Sequence, residues 1–142
     1  MNLLFNFLQI VLSRKDYDSA SSLLIAELNN KELEKMLPQQ YIGLRFFYLV
    51  TLYEQGKFHL MESPLRALHY AVQREDKQNK VAQELARLFS LLVKQAPALK
   101  LKQAIQKVEA GVKSTPYFSN QMSGINRLIE STWYENLSKR YR

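Results

Sequence analysis

Apolar residues recur along this chain at helical spacing, and the pattern returns every 41 residues. Phe7, Tyr48 and Phe89 fall on one register. So do Val11, Leu52 and Val93, and then Tyr17, Phe58 and Leu99. A period of this size, with three-to-four-residue periodicity inside it, indicates stacked helix pairs, because each pair leaves an apolar face that only a neighbouring pair buries. The expected fold is all-α: an α-α superhelix, or solenoid, of three helix pairs plus a closing C-terminal helix. The units are expected at about residues 1–37, 38–78 and 79–113, with a capping helix over 114–142, in a single domain.

The first predicted helix covers about residues 2–13. Asn2, Asn6, Gln9 and Ser13 gather on one narrow strip, and Leu3, Leu4, Phe5, Phe7, Leu8, Ile10, Val11 and Leu12 fill the rest. That arc is wider than one packed face requires. The helix is therefore expected to pack on two sides, against its own pair and against an upstream repeat or a second copy. Asp16 or Asp18 suits the cap of the second helix, and Asn29-Asn30 interrupts it. Pro38 suits the first turn of a helix reaching about Gln55. That helix is apolar nearly all round, with Arg45 its only cation, so it is predicted to lie at the centre. On this reading Tyr48→Ala costs about 3–5 kcal/mol. Gly56 should end it in a left-handed cap.

Ser63-Pro64 opens the next helix, and Gln73 to Asn79 reads as a loop. Val81, Leu85, Leu88, Phe89 and Leu92 mark the inner face of the fifth helix. Pro97 opens the sixth, which should stop at Gly111. A seventh, from about Tyr117 to Lys139 with Met122, Ile125, Ile129 and Trp133 inward, is expected to close the end of the stack.

Composition narrows the chemistry. Four glycines and four prolines leave room for few turns, which disfavours an all-β fold. There is no cysteine, hence no disulfide or thiolate chemistry. The apolar stretch Leu3 to Leu12 lacks a basic leader and a cleavage site, and it is shorter than the roughly 20 residues a membrane span needs. A cytoplasmic protein without a membrane partner is the expectation. The net charge of +7 is uneven. Residues 1–57 carry six basic and six acidic side chains, whereas 58–142 carry fourteen and seven. Lys94, Lys100, Lys102, Lys107 and Lys113 are opposed only by Glu109. Such a bias attracts acidic partners or nucleic acid, or simply forms a solvated face.

Candidate catalytic groups are sparse. His59 and His69 stand ten apart, not the four that place two imidazoles on one helix face for a metal. Glu62-Ser63 near His59 does not by itself orient a nucleophile and base. Gly43, Gly56, Gly111 and Gly124 are isolated, so no phosphate-binding loop is present. Neither enzyme activity, cofactor nor metal is expected. Tyr134 and Tyr141 lie near Arg127, Arg140 and Arg142, an arrangement that can stack bases or grip a peptide. The expected function is a protein- or peptide-binding scaffold, with Arg45, Glu84, Arg87 and Lys94 as candidate contact residues. The alternative is a nucleic-acid-binding module using the basic second half.

The segment Leu52-Tyr53-Glu54-Gln55-Gly56-Lys57-Phe58 resembles the turn between the two helices of a tetratricopeptide repeat, and Arg14-Lys15-Asp16-Tyr17-Asp18-Ser19-Ala20 resembles it again. The unit is 41 residues rather than 34, Met61 stands where Ala20 would recur, and the third unit lacks both glycine and aromatic. Phe58-His59-Leu60-Met61-Glu62-Ser63 and the basic segment after it also resemble the C-terminal region of large uncharacterised bacterial tetratricopeptide-like proteins of the Bacteroidetes type, over about residues 40–110. That resemblance implies a helical-repeat protein of unknown role, and a chain that is the end of a longer one.

Overall fold

Helices succeed one another as the periodicity predicts. The computed structural model describes residues 2–114 and 124–141. They form α1 (Asn2–Ser13), α2 (Tyr17–Leu28), α3 (Lys31–Met36), α4 (Pro38–Glu54), a 3-10 turn (Phe58–Leu60), α5 (Glu62–Glu75), α6 (Lys80–Val93), α7 (Ala98–Ser114), α8 (Gly124–Ile129) and α9 (Thr132–Arg140). No strand occurs among the described residues. Asp16, Asn30, Asn79 and Ser131 cap α2, α3, α6 and α9, each accepting a free backbone N–H. Pro38 opens α4. Contrary to expectation, α7 runs through Gly111 to Ser114.

Through α7, helices consecutive along the chain pack together: α1 on α2, α2 on α4, α4 on α5, α5 on α6 and α6 on α7, with α3 a short addition against α4. The centre is α4, as its nearly all-round apolar sequence requires. Tyr41, Leu44, Phe46, Phe47, Leu49 and Val50 on it are completely buried.

Three of these helices end alike. Beyond α1, Lys15 N–H donates to the Leu12 carbonyl (3.0 Å) and Asp16 N–H to that of Val11 (2.8 Å). Beyond α4, Gly56 donates to Tyr53 (3.1 Å) and Lys57 to Leu52 (2.9 Å). Beyond α6, Gln95 donates to Leu92 (3.1 Å) and Ala96 to Leu91 (3.0 Å). Each pair of bonds satisfies two orphan carbonyls and requires a left-handed residue. Lys15, Gly56 and Gln95 supply it, at φ +59°, +71° and +53°.

These caps stand 41 and then 39 residues apart, so the second spacing is two residues short of the expected 41. The equivalent inner positions are therefore Phe5, Phe46 and Leu85, and Leu8, Leu49 and Leu88, all completely buried. Phe7 aligns with Tyr48 and Arg87, not with Phe89. The expected buried seam through Phe7, Tyr48 and Phe89 is accordingly corrected. Phe7 is 48% exposed, Tyr48 is half-buried, and Phe89 is buried against Phe46, 5.8 Å between ring centroids. Tyr48→Ala should then cost well under the 3–5 kcal/mol of a fully buried aromatic. Leu99, expected to match Tyr17 and Phe58, is 65% exposed for the same reason.

The C-terminal arm differs most from expectation. It is two helices, broken at Glu130-Ser131, and it lies across the row of α1, α4 and α6 rather than at its end. (Tyr117 and Met122 lie outside the described residues.) α8 crosses α4 where Gly43 and Gly124 meet backbone to backbone. Arg127 on α8 donates to Asn6 Oδ1 at 2.8 Å, and Gln9 Nε2 donates to the Arg127 carbonyl at 3.1 Å. On α9, the Trp133 ring stacks on Phe89 (5.7 Å, 8° between planes), and its N–H donates to Glu54 at 2.7 Å. Ser138 donates to Glu109 on α7 at 2.9 Å. Tyr134 and Leu137 are buried beneath the arm.

Candidate interaction groove

With the face of α1, α4 and α6 covered by the chain's own α8 and α9, the principal free concavity lies on the opposite side. The Asn29-Asn30 break and the short α3 hold the chain away from α5, and the N-terminal half of α4 forms the floor. The resulting groove of about 590 Å³ is lined by Lys31, Glu34 and Lys35 of α3, Pro38 and Arg45 of α4, and Ala67, Tyr70, Ala71, Arg74 and Glu75 of α5. A second hollow of about 280 Å³ shares Lys31, Arg45 and Ala67 with it, and adds Ile25, Leu28, Asn29, Tyr48, Ser63 and Pro64. One end of the combined trough is charged; the other is mixed, with Ile25, Leu28, Tyr48 and Pro64 beside Asn29 and Ser63, and Arg45 at the junction.

Arg45 projects from the floor. Its Nη2 donates to Glu34 Oε2 at 2.8 Å, and both side chains are less than one-fifth exposed. Burial alone would raise the Glu34 carboxyl, but Arg45, with Lys31 and Arg74 further off, pulls it below the usual carboxylate range. The Arg45 Nε is buried and has no hydrogen-bond partner among the described residues. Arg74 lies over the Tyr70 ring, 5.2 Å from its centroid, and its Nε donates to Glu75 at 2.7 Å. Tyr70 is 65% exposed. Four cations thus oppose two carboxylates around the trough, and one wall carries an exposed aromatic.

Of the four candidate residues, only Arg45 reaches this groove. Glu84 and Arg87 bond each other along α6 at 3.3 Å, and Lys94 is the exposed C-cap of that helix. The groove's Lys31, Lys35, Tyr70 and Arg74 were not anticipated from sequence. Tyr70 did carry a signal: it lies off the inner register of Leu65, Leu68, Ala71 and Val72, so an aromatic there faces solvent.

The remaining candidates separate. His59 is exposed in the 3-10 turn, and His69 Nε2 lies 3.2 Å from Ser90 Oγ across the α5–α6 contact. Glu62 pairs with Arg66 instead of serving a nucleophile. No group of three or more metal-ligating side chains occurs among the described residues. Tyr134 belongs to the core, not to a base-stacking surface; burial first, then the Glu109 charge, pushes its phenol upward. Lys100, Lys102, Lys107 and Lys113 are exposed on α7. None of the described helices is long and apolar enough to cross a membrane. Comparison with protein-family models, curated proteins and solved structures gives no significant match.

Proposed function

We propose that this chain is a non-catalytic interaction scaffold of helical-repeat, tetratricopeptide-like type, which holds an acidic segment of a protein partner in the trough between α3 and α5. The observation that carries this reading is the trough itself: an open half that mixes Ile25, Leu28, Tyr48 and Pro64 with Asn29 and Ser63, continuous with a half where Lys31, Lys35, Arg45 and Arg74 outnumber Glu34 and Glu75. A cationic wall steers an acidic ligand and selects against a basic one. The trough's apolar side chains and Tyr70 supply the surface whose burial gives affinity.

Fluorescence anisotropy with helical peptides of matched apolar content tests it. Acidic peptides should bind at least tenfold tighter than their charge-reversed counterparts at low salt, and Ala67→Trp, which fills the shared wall, should abolish binding. Equal affinity for both charge classes, or indifference to Ala67→Trp, removes the proposal. A nucleic-acid reading keeps one supporting observation, the exposed lysine row of α7. It requires retention on immobilised DNA or RNA at about 50 mM salt, lost steeply as salt rises.

A further inference from the structure

One helix has an outer face without cover. On α1, Phe5, Leu8, Val11 and Leu12 are buried, but Leu3, Phe7 and Ile10 are 83%, 48% and 50% exposed. Positions three, seven and ten share one side of a helix. The cap register identifies their counterparts on α4 as Leu44, Tyr48 and Thr51. Leu44 and Thr51 are completely buried there, and Tyr48 lies beside Ile25 and Leu28 of α2. On α6 the counterpart of Ile10 is Ser90, which is bonded to His69 of α5. On α4 the preceding helix covers this face; on α6 the face is polar, and Arg87, the counterpart of Phe7, stays exposed. On α1 nothing among the described residues covers it.

We infer that a second copy of this chain supplies the cover, through antiparallel packing of α1 on α1. Three observations favour that occupant. First, α1 carries no charged side chain, so two identical faces meet without like-charge repulsion. Second, the stripe is nearly symmetric about Phe7, with Leu3 four residues before and Ile10 three after. A two-fold axis through Phe7 therefore sets Phe7 on Phe7 and Leu3 on Ile10, the self-complementarity an isologous interface demands. Third, the other end of the row cannot serve. The outer side of α7 presents one apolar residue, Leu99, among Lys100, Lys102, Gln103, Gln106 and Lys107, polar groups that a head-to-tail contact would bury against Leu3, Phe7 and Ile10 without partners. The interface is small, so it belongs to the weak, reversible class.

Light scattering and sedimentation equilibrium on the full chain, from about 5 to 500 μM, read it directly, the range being that of a weak interface. The wild type should pass from one-chain to two-chain mass. Phe7→Glu should raise the midpoint concentration at least tenfold, with the far-ultraviolet dichroism unchanged, because Phe7 is half exposed. Leu3→Glu, at the most exposed position, should act in the same direction. Phe7→Glu mixed with Phe7→Lys should associate more tightly than either alone, since the two charges meet on the axis. One-chain mass throughout, a dimer indifferent to Phe7→Glu, or a mixture no better than its components each overturns the inference.

Discussion

Gly43→Ala tests the placement of the C-terminal arm. A Cβ added at Gly43 would lie 2.4 Å from Gly124 Cα, 2.9 Å from its carbonyl carbon and 3.0 Å from its nitrogen. Every one of these is a backbone atom, so no rotamer relieves the overlap; α8 must move off α4. Alanine in a helix interior gains up to about 1 kcal/mol over glycine. Overpacking costs about 1–3 kcal/mol where side chains can yield, and more where they cannot. The net loss should therefore be about 2 kcal/mol or more. In a domain of this size that lowers Tm by about 6–8 °C. Gly111→Ala is the control. Its Cβ would meet Val81 Cγ2 at 3.3 Å, with the Val81 backbone no nearer than 3.8 Å, so a shift of a few tenths of an ångström suffices and Tm should change far less than for Gly43→Ala. Thermal and denaturant unfolding followed by circular dichroism decides the matter. If Gly43→Ala melts with the wild type, or Gly111→Ala falls as far, the crossing of α8 on α4 is misplaced.

The caps give a prediction of opposite sign. Lys15→Gly and Gln95→Gly should each stabilise by about 1 kcal/mol, because both residues hold a positive φ that costs a side chain about that much; denaturant midpoints below wild type would contradict the shared cap. Trp133 is the only tryptophan, so its fluorescence reports the docking of α9. Trp133→Phe should lose about 1 kcal/mol with the Glu54 bond but keep the Phe89 contact, whereas Trp133→Ala should cost about 3 kcal/mol in chemical unfolding. Glu34 is held below the ordinary carboxylate value, so its contribution to stability is present above about pH 4.3 and is lost as pH falls through the lower native value. Arg45→Met removes the main source of that lowering, so acid unfolding should begin at higher pH, and an unchanged acid midpoint would show that the Arg45–Glu34 pair adds nothing.

The helices were legible from sequence because burial on one stripe imposes helical spacing, and α4 stood out because a central helix is apolar all round. The register of the third unit was not. Gly56 announces a left-handed cap by its residue type, whereas Lys15 and Gln95 adopt the same conformation with no compositional mark. Without that mark, a constant 41-residue spacing sets Phe89 on the register of Phe7 and Tyr48, two positions from its structural place. The groove was half legible for a related reason. Arg45 stood out as the lone cation on an apolar helix, but the partners that surround it come from α3 and α5, and only the Asn29-Asn30 break brings them to it. The arm was hidden more deeply. Gly43 and Gly124 read as isolated glycines, and only their contact shows that each exists for the other. That contact bears on function as well as fold. It seats α8 over α4, while Trp133 seats α9 on Phe89 of α6, so the side of the row built from α1, α4 and α6 is filled by the chain itself. Among the described residues, the trough between α3 and α5 and the bare stripe of α1 lie outside that covered side, and each carries one of the proposals. These surfaces differ in kind. The trough is charged at one end, so the proposed partner would be selected by electrostatics. The stripe is uncharged and nearly symmetric, and it selects by matching itself. The two proposals are compatible: pairing through the stripe would leave the trough open to a second protein, since no residue of the stripe lines the trough.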